Sequence, residues 1–162
     1  MTPAEQLDLP PYAHIPGQNA RPDTTGLAQI SAGALSLTSS ASAHENLAWQ
    51  YGIRLISSGF YWEAHEVLES VWLKAAPNSR EWHLLKGVIH VTNSALKVRM
   101  GRAKAAQRLS NMAKDSITRS FSQESDSLMG LLESDLLLAA TLAADTSPDK
   151  RNISLPLLFN AC

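Results

Sequence analysis

Cysteine is nearly absent from this chain. Of 162 residues only Cys162 carries a thiol, which excludes a disulfide framework within the chain and a cysteine-ligated zinc site. This fits a reducing compartment, and a cytoplasmic location is expected. Long apolar runs are missing as well. The longest, Leu136–Ala144, is interrupted by a Thr and is too short to span a bilayer, so no membrane partner is expected. The opening MTPAEQLDLPPY has neither the basic nor the apolar region of a secretory leader. There is no excess of either charge. A net charge of −1 makes no global case for nucleic acid or acidic membranes.

The charge is unevenly distributed, however. Lys86, Lys97, Arg99, Arg102, Lys104, Arg108, Lys114 and Arg119 stand against Asp115 alone. The following stretch is acidic, with Glu124, Asp126, Glu133, Asp135 and Asp145. Neighbouring helices of opposite sign are expected to neutralise each other, which leaves nucleic-acid binding through Lys104, Arg108 and Lys114 a weaker reading. The hydrophobic fraction of 44% is ordinary for a globular domain with a real core.

Five prolines, Pro3, Pro10, Pro11, Pro16 and Pro22, forbid a long helix near the start. Residues 1–41 therefore read as an irregular arm, partly laid on the domain through the apolar residues of Leu9–Ile15. Removing residues 1–30 should leave the rest folded. Residues 42–145 read as an all-α bundle of about five antiparallel helices. Ser42 and Glu45 form a capping-box pattern opening the first at about His44. It ends near Ser57, with Gly59 placed for a left-handed stop. The second spans about Tyr61–Ala75 and is ended by Pro77. Asn78 with Glu81 opens the third, which runs to about Met100 with Gly101 as its stop. The fourth covers about Arg102–Thr118, with Ala106, Leu109, Ala113 and Ile117 as its apolar stripe. Ser122, with Glu124 and Asp126 in its first turn, opens a fifth that fades near Asp145. No strand-like alternation is evident. Residues 146–162 are a tail whose apolar part, Ile153–Phe159, is split by Pro156 and docks in extended form.

The segment richest in chemistry is Phe60–Trp72. At about 100° per residue, His65 and Glu69 lie about 40° apart and one turn apart along a helix. Trp72 and Trp62 fall on the same side, so the three motif residues His65, Glu69 and Trp72 are expected to be buried around one shared space. Glu63 and Glu66 are expected to face solvent. An imidazole and a carboxylate in this relation allow three things. They can ligate one divalent metal ion, Zn, Mn or Fe. They can act as a general acid–base pair. They can satisfy each other as a buried polar pair. His65-Glu66-Val67-Leu68-Glu69 is HExxE, not the HExxH of zinc peptidases, so a protease is not inferred. No ExxH is present, which sets the chain apart from di-iron bundles. In the third helix His83, Lys86, His90, Asn93 and Lys97 form a polar strip. From it His90 is a third-ligand candidate if that strip turns towards the second helix, and otherwise it is solvated surface. Gly87 would permit a close helix approach.

These residues carry a family resemblance. His65, Glu69 and Trp72 make the pattern HxxxExxW, preceded by Gly59-Phe60-Tyr61-Trp62-Glu63-Ala64-His65-Glu66 and followed by Leu85-Lys86-Gly87-Val88-Ile89-His90. Over about Glu45 to Ile117 the chain resembles the bacterial and archaeal family called domain of unknown function 309. Gln commonly stands there at the position of His90. Leu9–Pro16 is similar to the N-terminal arm of some members. The resemblance implies an all-helical bundle and a metal-binding role for the motif's His and Glu, and it brings no established activity. Two functions follow. One is a pocket for a divalent metal or small ligand on His65 and Glu69, with Trp72, Trp62 and Glu66 around it. The other is a non-catalytic module in which the motif is a buried polar knot and the helices bind a partner protein. A second copy of the chain is a possible partner in either case.

Overall fold

The computed structural model describes residues 2–122 and 125–160; Glu124 and Cys162 lie outside the described residues. Among the described residues there are six α-helices: α1 Thr25–Ala32, α2 Leu47–Ser57, α3 Tyr61–Trp72, α4 Arg80–Arg99, α5 Ala103–Ser120 and α6 Glu133–Ala143. The all-α class is as the sequence implied. Helices α2 to α6 correspond to the five expected, and consecutive ones pack on each other around one continuous core. Among the described residues no helix is long and apolar enough to cross a membrane.

The stop signals act as read. Gly59 (φ 86°) and Gly101 (φ 74°) take left-handed conformations after α2 and α4. The next residue then bonds back across the last turn, Phe60 N–H to Leu55 O at 2.9 Å and Arg102 N–H to Lys97 O at 2.8 Å. The start signals differ from expectation. Ser42 makes no capping bond, and Asn46 Oδ1 caps α2 through the Trp49 N–H at 3.2 Å. Asn78 is left-handed (φ 64°), which Asn tolerates, and the cap of α4 passes to Ser79, whose Oγ takes the Trp82 N–H at 3.1 Å. Helix α3 stops at Trp72, short of Ala75. Thr38 bonds at this end, giving its hydroxyl to Val71 O at 2.6 Å and its N–H to Lys74 O, just past the helix, at 3.0 Å.

Two elements depart from the sequence reading. The arm contains α1, which begins three residues after Pro22, where Asp23 Oδ1 takes both the N–H and the hydroxyl of Thr25. The region read as the start of the last helix is a small antiparallel hairpin, β1 Ser127–Leu128 and β2 Leu131–Leu132. Its corner, Met129 and Gly130, has positive φ at both positions, as a two-residue hairpin turn requires. The Trp49 Nε1–H donates to Met129 O at 3.1 Å, and the Leu158 N–H to Gly130 O at 2.7 Å, so both corner carbonyls are used.

Segments near both ends of the chain reach α2. The Arg54 guanidinium donates to Ala4 O and Leu7 O, and the Tyr51 hydroxyl donates to Asp8 O at 2.6 Å. The tail is extended over 153–157, with Ile153, Leu155 and Leu157 buried in alternation with exposed neighbours, and turns into a 3-10 helix at Leu158–Asn160 where extended chain was expected. No Lys or Arg forms an ion pair with a carboxylate among the described residues. The expected neutralisation between α5 and α6 is therefore not made by close pairs. Those helices meet through small groups instead, with the Ser110 hydroxyl donating to Ala140 O at 2.6 Å.

Candidate functional site on α3

Helix α3 follows directly from the turn at Gly59 and is held on its inner side by Ala64, Val67, Leu68 and Val71, all fully buried. Gly52 of α2 lets it come close, since a Cβ there would lie 2.5 Å from Leu68 Cδ2. This inner stripe fixes the outer one. His65, Glu66 and Glu69 turn outward, with side-chain exposures of 30%, 41% and 49%. The expectation that His65, Glu69 and Trp72 are buried around one space is thus corrected for Glu69, which faces solvent. The apolar stripe is centred on Ala64, Val67 and Val71 rather than on the Trp–His–Glu side.

The imidazole of His65 stands between two carboxylates. Its Nδ1 is 3.5 Å from Glu66 Oε1 and its Nε2 is 3.9 Å from Glu69 Oε2. These separations exceed a good hydrogen bond. The three groups are near one another, unbonded and accessible, which does not match a buried polar knot. His90 does not join them. It lines a cavity against α5 that no residue of α3 lines. Among the described residues no three His, Cys, Asp or Glu side chains converge to hold a metal ion. The cluster on α3 is therefore one imidazole flanked by two carboxylates, Glu69 near Nε2 and Glu66 near Nδ1.

Trp62 and Glu66 line a cavity of about 300 Å³ between α1 and α3, together with Arg21, Thr24, Leu27, Ala28 and Ser31. Arg21 stacks its guanidinium 4.8 Å from the Trp62 ring, and the His14 ring meets the same indole edge-on at 4.9 Å. Trp72 turns towards α4 and packs on Trp82 with ring centroids 5.4 Å apart, its indole N–H buried without a partner among the described residues.

Glu63 was expected in solvent and is fully buried. Its Oε2 accepts the backbone N–H of His14 at 2.9 Å, while Oε1 has no partner among the described residues. Its spacing from Val67 and Val71 puts it on the buried stripe, and that spacing was the available signal.

The family model described as Domain of unknown function (DUF309) matches residues 49–109. No curated protein and no solved structure matches the chain. The matched stretch runs from α2 through α3 and α4 into α5, so the similarity to that family takes in the whole outward face of His65, Glu66 and Glu69.

Proposed function

We propose that α3 carries a divalent-cation site of two protein donors, His65 Nε2 and Glu69 Oε2, beside a small-ligand cavity. The observation that supports this most is that neither group is used by the fold. Their heads stand 3.9 Å apart on an exposed face, a separation that one ion can bridge when each donor is about 2.0–2.2 Å from it. Two donors leave most of the coordination sphere open, to be filled by water, by a bound ligand or by a second protein. Glu66 connects the two features, because it flanks the His65 ring and also lines the cavity with Arg21 and Trp62. The cation would supply a Lewis acid at that mouth. The protein's part is to hold the imidazole and the carboxylate one turn apart on a helix whose opposite face is fixed in the core.

The test is calorimetric titration of untagged protein with Zn²⁺, Mn²⁺ and Fe²⁺, comparing wild type with Glu69→Gln and His65→Gln. Both residues reach solvent, so both variants should fold. Saturable binding that weakens about tenfold or more in each variant is expected, since an amide is a poor replacement for either donor. Absence of saturable binding, or binding indifferent to both substitutions, overturns the proposal.

A further inference from the structure

Helices α4 and α5 approach closely at Gly87, where a Cβ would come 2.8 Å from Ile117 Cγ1 and 3.3 Å from Ala113 O. Long side chains next to such a contact cannot enter it and gather at its edge. There a cavity of about 170 Å³ opens, lined by Lys86 and His90 from α4 and by Met112, Asp115, Ser116 and Arg119 from α5. None of these residues belongs to the α3 face.

The walls have a definite chemistry. Two permanent cations, one from each helix, face one carboxylate, a hydroxyl and an imidazole. Neither Lys86 nor Arg119 has a carboxylate within ion-pair distance among the described residues. The Lys86 ammonium rests 5.1 Å from the Trp82 ring, a contact that positions it without occupying its N–H donors. Both ring nitrogens of His90 are buried and have no hydrogen-bond partner among the described residues. Such groups are costly to leave unsatisfied, and a polar ligand in the cavity would satisfy them. The two cations act on one region, since Arg119 and Lys86 both oppose protonation of the neighbouring His83. A bare cation would be repelled here. The cavity is small and polar groups line it from both helices, which suits a small oxyanion.

We infer that this α4–α5 cavity binds a protonated small oxyanion of the phosphate type. Lys86 and Arg119 donate to its charged oxygens, with Ser116 and His90 completing the shell. Asp115 sets the selectivity. A carboxylate accepts only from a protonated oxygen, so it takes the P–OH of hydrogen phosphate and repels fully deprotonated sulfate.

The experiment is calorimetric titration of the full chain with inorganic phosphate at pH 7, and with sulfate at matched ionic strength, while the His90 ring resonances are followed by NMR. Expected are saturable phosphate binding, sulfate about tenfold weaker or worse, and a phosphate-dependent shift of the His90 ring. Lys86→Gln and Arg119→Gln should each weaken phosphate about tenfold or more. Arg108→Gln, an exposed cation of α5 that does not line the cavity, should leave it unchanged. Asp115→Asn should let sulfate in. The inference fails if phosphate does not saturate, if Arg108→Gln costs as much as Arg119→Gln, or if the His90 ring does not respond. Equal affinity for sulfate and phosphate in wild type overturns the role of Asp115.

Discussion

The backbone N–H of His14 donates to Glu63 Oε2 at 2.9 Å, joining residues 49 positions apart and placing a carboxylate of α3 beneath the N-terminal arm. The arm is tied down elsewhere too, by Tyr51 to Asp8 and by the Gln18 side-chain amide to Arg99 O at 2.6 Å. The bond at Glu63 differs in kind, because it ends on a side chain with no exposure at all.

Glu63→Leu removes the acceptor and leaves the His14 amide without its partner. The arm should loosen locally by about 1 kcal/mol, the scale of one hydrogen bond to a half-buried donor. Amide exchange at His14 should speed up well beyond the change at the core residue Leu55. Unchanged protection at His14 would show that the bond does not hold the arm.

Deletion of residues 1–30, which the proline pattern alone suggested was harmless, should destabilise the protein. It strips Leu27 and Ala4 from the core and unpairs Glu63 and Arg54. A loss on the order of 3 kcal/mol or more is expected from one large buried side chain and the stranded polar groups. Urea unfolding of the truncated chain checks this, and a midpoint equal to that of the full chain would contradict it.

Gly87→Ala pits two effects against each other. In an open helix Ala gains about 1 kcal/mol over Gly. Here the added methyl meets Ile117 Cγ1 at 2.8 Å and the less yielding Ala113 O at 3.3 Å, and overpacking costs about 1–3 kcal/mol. The variant should be less stable, and the same change at Gly26, which has nothing within 4 Å, should not be. Equal denaturation midpoints for Gly87→Ala and Gly26→Ala would remove the steric argument.

His90 gives a pH dependence. Burial first, and Lys86 second, hold its ring below the usual imidazole range. Asp115 and Arg119 of α5 face it across the cavity, and Lys86 lies one turn before it on α4. The unfolded chain then takes up this proton more readily than the folded one. Stability from this group is complete above about pH 6.5, the unfolded value, and declines as pH falls from there towards the depressed folded value. His83 is shifted the same way, by its own burial and then by Arg119 and Lys86. Urea midpoints should therefore drop between pH 7.5 and 5.5 more for wild type than for His90→Gln. Identical slopes would exclude His90 as a source.

Much of this architecture is legible in the chain because its signals are local. Gly59 and Gly101 end helices by their own backbone freedom, and the stripe of Ala106, Ala113 and Ile117 marks the buried side of α5. Distant contacts decide what is not legible. Helix α3 ends early where Thr38 bonds to Val71 O, and the partner that the buried Glu63 finds, the His14 amide of the arm, comes from 49 positions away. Neither partner leaves a mark in the sequence around α3. The hairpin strands are two residues each, too short for alternation to be seen. On the candidate site, the spacing of His65 and Glu69 gave their proximity correctly. It did not give their direction, which the opposite stripe of Ala64, Val67 and Val71 sets.

The wrapping of α2 by both ends of the chain constrains synthesis. Eight of its eleven residues are buried, and part of their cover comes from Leu155, whose N–H meets Ser57 Oγ across 98 positions. While the ribosome is still making the later helices, the surface that this segment will cover stays bare. Final closure of α2 must wait until Leu155 and Leu157 have cleared the exit tunnel. For that interval the nascent chain holds an apolar helix without its full cover.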